Sequence, residues 1–231
     1  MTTISVIVPV LNEAANLPKV LATIQTHTNQ AIVGIEVIVV DGGSQDNTVD
    51  IAQQTGAKVL CTHPGRAHQM NAGAEIATGE ILVFVHGDTQ LPPNYATLVQ
   101  TALTQPKVVA GAFDLAIQGN HWGLRWVEWG VKWRSRFCQL PYGDQALFVP
   151  ATRFHQLGGF PELPIMEDFV FVQRLRRLGK IAIAPACVIT SGRRWQKLGI
   201  FKTTVLNQII VLGYFAGIAP QRLAKWYRRL R

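Results

Sequence analysis

Two acids stand where a sheet would do chemistry. Asp41 ends the apolar run Ile35-Glu36-Val37-Ile38-Val39-Val40 and is followed by Gly42-Gly43-Ser44-Gln45-Asp46-Asn47-Thr48. A run this rich in β-branched residues reads as a buried parallel strand. A second run, Ile81-Leu82-Val83-Phe84-Val85, ends in His86-Gly87-Asp88. Open α/β sheets bind ligands in the crevice beyond the carboxyl ends of their strands. Two carboxylates at two such tips suit one hydroxyl-rich, metal-bound or phosphorylated ligand. The Gly-Gly turn lets backbone approach that ligand, and Asp46 is the expected cap of the next helix.

The elements that must position these acids follow from the apolar pattern. Strands are expected at Ile4–Val10, 35–40, Lys58–Cys61, 81–85, Val108–Ile117 and 145–149. Helices are expected from Asn16-Leu17-Pro18 onward and at 48–55, 69–77, 93–104, Trp122–Phe137 and 168–178. This alternation predicts an α/β fold: a mostly parallel, doubly wound sheet with helices on both faces. Trp122, Trp126, Trp129 and Trp133 share one helix face, and a core or interface stripe is the expectation for it. There is no internal repeat and no low-complexity linker. One domain over 1–198 and a basic, apolar helical tail over 199–231 are expected.

The bulk numbers bound the rest. A chain of 231 residues that is 48% hydrophobic can fill one α/β core. Three well-separated cysteines without metal-type spacing fit reduced thiols. The first residues lead straight into a strand without the three regions of a signal peptide. A cytoplasmic location is therefore expected. The net charge of +8 is unevenly spread: after Asp168 there are 13 Lys and Arg and no acid, and the first 168 residues carry −5. The 174–180 cations read as a solvated surface. The tail combines an uncharged stretch over 203–219 with Lys225-Trp226-Tyr227-Arg228-Arg229-Leu230-Arg231. That suits contact with an anionic membrane surface or a lipid-borne acceptor; packing on the domain or on a second subunit, as a homodimer, is the alternative. No nucleic-acid partner is expected.

Taken in order, five segments resemble the family 2 glycosyltransferases of GT-A fold: Pro9-Val10-Leu11-Asn12-Glu13, the Val40–Thr48 turn, Gly65-Arg66-Ala67-His68-Gln69-Met70-Asn71-Ala72-Gly73, His86-Gly87-Asp88, and Met166-Glu167-Asp168. The 65–73 segment and Arg193-Arg194-Trp195 are similar to a small bacterial subgroup labelled radical-SAM/selenodomain-associated or arsenosugar-pathway transferases.

The resemblance implies roles. Pro9, Val10, Asn12, Glu13, Asp41, Gly43, Arg66, His86 and Gly87 would line the nucleotide, with Glu13 and Asp41 accepting from uracil or ribose. Asp88 would hold a divalent ion, Mn²⁺ or Mg²⁺, against the diphosphate of a nucleotide-diphospho sugar, UDP-linked by preference. His86 replaces the first acid of the family's Asp-x-Asp, which leaves ribose contact or metal contact open for it. Asp168 would be the general base of an inverting transfer, and Glu167, Gly143, Asp144, Gln145, Arg193, Arg194 and Trp195 would face the sugar or the acceptor. The acceptor is a small molecule or a lipid-linked one. Bland alternatives accompany these roles: a first-turn acid for Glu13, a helix cap for Asp168, an ordinary turn for Gly143-Asp144, a basic surface for the Arg pair.

Three rival functions fit the sequence less well. A SAM-dependent methyltransferase and a sugar-1-phosphate nucleotidyltransferase both want glycine-rich loops after the first strand, where this chain has Val10-Leu11-Asn12-Glu13-Ala14-Ala15. A non-catalytic sugar-nucleotide or membrane-binding module would not require both Asp88 and Asp168.

Overall fold

The computed structural model describes residues 2–25 and 34–230; Arg231 of the tail lies outside them. The elements run β1 (Ile4–Val10), α1 (Leu17–Gln25), β2 (Ile35–Asp41), α2 (Thr48–Gln54), β3 (Lys58–Cys61), α3 (Arg66–Ile76), β4 (Ile81–Phe84), β5 (Thr89–Gln90), α4 (Tyr95–Leu103) and β6 (Val108–Ile117). They continue with α5 (Trp122–Phe137), a 3-10 turn (Gly143–Gln145), β7 (Phe148–Pro150), α6 (Ala151–Gln156), α7 (Glu167–Arg176), β8 (Lys180–Thr190), α8 (Arg193–Leu198), α9 (Ile200–Phe215) and α10 (Pro220–Leu230).

The strands form one eight-stranded sheet of order β3-β2-β1-β4-β7-β6-β8-β5. β1 runs parallel to β2 and β4, β2 to β3, and β6 to β8. β7 is antiparallel to both β4 and β6, and the short β5 is antiparallel to β8. The α/β architecture expected from the sequence is the one that forms. The register matters for function: Val10 pairs with Asp41, so the β1 and β2 tips end level.

β1 is apolar at nearly every position because helices cover both faces of the sheet. One core gathers Val6, Val8, Leu21, Val39 and Phe113. A second gathers Ile7, Ile38, Phe84, Phe154 and Phe171. A smaller one ties the tail to α7 through Met166, Phe169, Leu206, Ile210 and Leu223.

Several boundaries differ from expectation. α3 starts at Arg66, not at 69, so Arg66 is a first-turn helix residue. The strand expected at 145–149 begins only at Phe148, because Gly143–Gln145 winds into a 3-10 turn closed by a reciprocal Tyr142–Gln145 capping box. The eleven-residue β8 was not anticipated. Its sequence explains why: Pro185 cannot donate to a ladder. The pairing with β6 accordingly jumps from Phe113↔Ala184 to Asp114↔Cys187, with Pro185 and Ala186 left in a bulge.

The tryptophan helix forms with the expected bounds, but its stripe is not core. Trp122, Trp126, Trp129 and Trp133 are 71%, 65%, 62% and 51% exposed, and α5 buries Leu124 and Ser135 instead. Among the described residues no helix is long and apolar enough to cross a membrane.

Candidate active site

The site is built where β1, β2 and β4 end. Asp41 is 2% exposed and sits beneath its own turn. Its Oδ2 accepts the backbone N–H of Gly43 and of Ser44, each at 2.8 Å, and its Oδ1 accepts the Ser44 hydroxyl. The sequence expectation aimed this carboxylate at the nucleotide; the structure commits it to shaping the turn, with Gly43 at a φ of 92° that favours glycine. Asn12 stitches the β1 loop to the β2 loop: its N–H donates to Ser44 Oγ and its Oδ1 accepts from Gln45 N–H, both at 2.8 Å. Asp46 Oδ1 accepts the Thr48 N–H at 3.1 Å, but the cap position of α2 falls to Asn47, which makes no side-chain cap bond.

Gln69, to which the sequence assigns no role, holds the strand tips together. It is 4% exposed, and its amide nitrogen donates to the carbonyls of Val10 and Val40, each at 2.8 Å. One α3 side chain thus clamps two strand tips. The available signal was a glutamine inside a helix face that is otherwise alanine, methionine and glycine.

Beyond β4, a Cβ at Gly87 would stand 3.0 Å from Val10 and 3.2 Å from Glu13, so glycine here lets the β1 loop close onto the tip. Asp88 and Glu13 share a cation. Arg193 Nη2 donates to both Glu13 oxygens at 3.0 and 2.9 Å and stands 3.4 Å from Asp88 Oδ2. Glu13 is therefore not a bare acceptor; it also takes the Asn16 amide at 2.6 Å.

Gly143 joins this half of the site to the other. Its N–H donates to Asp168 Oδ2 at 2.6 Å, and a Cβ there would stand 3.1 Å from both Asp168 Oδ2 and His86 Nε2. The β4 tip and the α7 start meet across one glycine. His86 Nε2 is buried without a hydrogen-bond partner. Burial, with the Arg66 charge adding to it, holds this imidazole well below its usual range, so it is neutral at pH 7.

Asp144 is the more perturbed acid. Its Oδ1 is buried without a partner. Burial, reinforced by Asp168 and Asp88 and opposed by Arg134 and Arg66, pushes its carboxyl up to about 6. Glu167 is 4% exposed, and burial raises its carboxyl although Arg66 Nη1 stands 3.4 Å away. Flanking residues carry strain: Ala146 and Met166, neither glycine, have φ of 49° and 71°. Such left-handed residues gather where surrounding structure enforces a functional geometry.

Three expected site residues are placed elsewhere. Gln145 is fully buried. Its Oε1 accepts from Ser135, Arg134 and Tyr142 N–H, and its amide nitrogen donates to Phe113 carbonyl. Its amide is spent inside the protein and holds the 3-10 turn rather than an acceptor. The Arg pair splits: Arg193 enters the site, whereas Arg194 donates to Asn207 at 2.9 Å and lies 4.5 Å over the Tyr227 ring, anchoring α9 and α10. Trp195 packs against the main core, and its indole N–H is buried without a partner. Pro9, Val10, Arg66, His86, Gly87, Asp88, Gly143, Asp144, Glu167 and Asp168 all lie on the segments that converge here.

The family-wide pattern described as glycosyl transferase family 2 matches residues 5–152. The chain belongs to this family. Among curated relatives, it is 26% identical over 137 residues to an undecaprenyl-phosphate 4-deoxy-4-formamido-L-arabinose transferase of Pseudomonas syringae, covering 56% of this chain and 40% of the relative. It is 32% identical over 141 residues to the uncharacterized glycosyltransferase YibD of Escherichia coli, covering 57% and 37%. The chain thus spans about two fifths of the length of these relatives. Among solved structures, glucosyl-3-phosphoglycerate synthase from Mycobacterium tuberculosis, in complex with Mn²⁺, UDP and glucosyl-3-phosphoglycerate, superposes with a TM-score of 0.63 at 22% identity, covering 90% of this chain and 79% of that one. S. aureus TarS 1–349 superposes with a TM-score of 0.63 at 19% identity, covering 91% and 65%. These likenesses show the GT-A fold.

In this family 2 glycosyltransferase chain the acids do not form a ready-made metal cage. Among the described residues no group of three or more His, Cys, Asp and Glu side chains could hold an ion. One carboxylate with substrate phosphates is nevertheless an ordinary site for Mg²⁺. The Arg193 guanidinium already holds the position beside Asp88 and Glu13, so the pocket's chemistry suits a cation.

Proposed function

We propose that this chain is an inverting glycosyltransferase that moves a sugar from a UDP-linked donor to an acceptor hydroxyl. The observation that carries this reading is Gly143, whose N–H holds Asp168 Oδ2 and whose Cβ position would lie 3.1 Å from both Asp168 Oδ2 and His86 Nε2. The β4 tip is the donor side, and the α7 start is the acceptor side. Complexes of the superposing synthase with UDP and Mn²⁺ or Mg²⁺ support the donor class.

The donor's base and ribose lie along Pro9–Glu13 and the Asp41 turn, with Arg66 and the neutral His86 as polar neighbours. Asp88 would hold a divalent ion, which supplies positive charge to the departing diphosphate. Arg193 adds a guanidinium fork to the same oxygens once it releases Glu13. The acceptor oxygen attacks the anomeric carbon from the face opposite the diphosphate. Its proton passes to Asp168 as the bond from carbon to phosphate oxygen breaks. Gly143 N–H holds Asp168 Oδ2, which fixes the carboxylate. Asp144 and Glu167 line the acceptor side.

The acceptor is a lipid-linked or a small hydroxyl compound; the undecaprenyl-phosphate transferases among the relatives favour the first. The subgroup resemblance and a cytoplasmic setting belong to the same proposal. A thermal-shift panel of UDP, GDP, CDP, ADP and SAM, with and without Mn²⁺ or Mg²⁺, tests it through ligand-linked stability. A metal-dependent rise with UDP is expected. A rise with SAM alone would replace the reading with methyl transfer.

A further inference from the structure

The molecule leaves one large surface unexplained by the site. Among the described residues fifteen large hydrophobics are exposed, and ten of them lie on α5 and α9. On α5 they are Trp122, Trp126, Trp129, Trp133 and Phe137, spaced so that they share one face. On α9 they are Phe201, Val205, Ile209, Leu212 and Phe215, again one face. The two helices are neighbours: a Cβ on Gly123 would lie 3.1 Å from Ile200. Monomeric proteins rarely expose apolar patches of this extent without a partner.

We propose that the α5–α9 face docks on an anionic lipid bilayer. The composition selects this occupant. Four tryptophans are the side chains that settle at the boundary between headgroups and acyl chains. Along one flank of the tryptophan row Lys132 is exposed, as are Arg125 and Arg136, which pair with Glu128 and Asp114 at 2.9 and 2.7 Å. The following 193–231 segment holds nine Lys and Arg and no acid, and such cations bind anionic headgroups. A second copy of the chain fits poorly, because an isologous contact sets a patch against itself and would bring these cations together. No described helix can span a bilayer, so the face lies on the surface, as amphipathic helices do.

The placement also bears on the acceptor, and this part rests on the function proposed above. The inner side of α9 packs Leu206 and Ile210 with Phe169, the residue after Asp168. One helix thickness, about 10 Å, separates the docking face from the acceptor side. A lipid-linked hydroxyl would have to rise only about that helix thickness from the membrane surface to reach Asp168.

The test uses the full chain with phosphatidylcholine vesicles, with and without phosphatidylglycerol, at low salt. Expected are co-sedimentation with the anionic vesicles and quenching of tryptophan fluorescence by brominated lipid. Trp126→Gln/Trp129→Gln/Trp133→Gln should weaken binding about tenfold or more. Phe201→Gln/Leu212→Gln on α9 should act in the same direction and guards against a folding defect in the first variant. Absence of binding to anionic vesicles overturns the proposal, as does undiminished binding by both variants. A solution dimer that these substitutions dissociate would assign the face to a second copy instead. The UDP thermal shift is read in parallel: if it persists while vesicle binding fails, only the docking face is wrong; if wild type shows no UDP shift, the donor reading fails separately.

Discussion

The two ends of the same parallel strands behave oppositely. At the amino ends of β1 and β2, Glu36 is enclosed by donors. Ser5 Oγ and Lys58 Nζ reach it at 2.5 Å each, and Thr78 N–H at 2.8 Å. Burial disfavours its charge, yet these hydrogen bonds outweigh burial and lower its carboxyl to about 2. At the carboxyl ends, Asp144 lacks a partner on one oxygen and is pushed up to about 6, and His86 Nε2 is also orphaned. One end satisfies its polar groups and stabilises the fold. The other leaves two of them, Asp144 Oδ1 and His86 Nε2, open, at a cost in stability, for groups that arrive with substrate.

The largest expected effect lies at the carboxyl ends. Asp168→Asn should lower transfer by about two to four orders of magnitude, the span of general-base catalysis, while UDP binding by thermal shift is retained. Equal rates for the variant and wild type would remove Asp168 from the chemistry.

The next two predictions have opposite signs and sharpen the contrast. Glu36→Gln should destabilise the fold by about 2 kcal/mol at pH 7. The sign follows from a folded value below the unfolded one: stability is present above 4.5 and is lost as pH falls from there toward about 2. The gap between variant and wild type should therefore close on acidification in urea titrations. Asp144→Asn should stabilise the fold by about 2 kcal/mol above pH 6. Here the folded value exceeds the unfolded one, so wild type loses stability as pH rises from 3.8 to about 6. The variant's advantage should grow across that window, and a flat difference would break the comparison.

The smallest effect concerns Arg193, which is half exposed and bridges Glu13 and Asp88. Arg193→Ala should tighten Mn²⁺ binding to the ligand-free protein several-fold, as expected for a partly screened ion pair worth about 1 kcal/mol. Unchanged affinity, measured as free Mn²⁺ by electron paramagnetic resonance, would mean that guanidinium and metal do not compete.

The N-terminal half of the fold was legible because β1, β2 and β4 are nearly continuous apolar runs, two of which, β2 and β4, lead into glycine and acid. β8 was not, since a proline bulge and several alanines hide its pattern. The acids at the strand tips announced where the site would be. Their partners did not: Asp41 is taken up by its own turn, while Gln145 sealed in the core and Arg193 spanning Glu13 and Asp88 depend on contacts between residues 32 and up to 180 positions apart. The tryptophan stripe shows the limit of periodicity, which marks a face without saying whether protein or something else covers it.

Hydrogen exchange with and without UDP and Mn²⁺ tests the division between the two ends most directly. The account predicts added protection at residues 9–13, 41–48 and 86–88 and at Gly143, and none at the amino-end hollow lined by Gln25, Ile35, Glu36, Ala57 and Lys58. Protection confined to that hollow would contradict it.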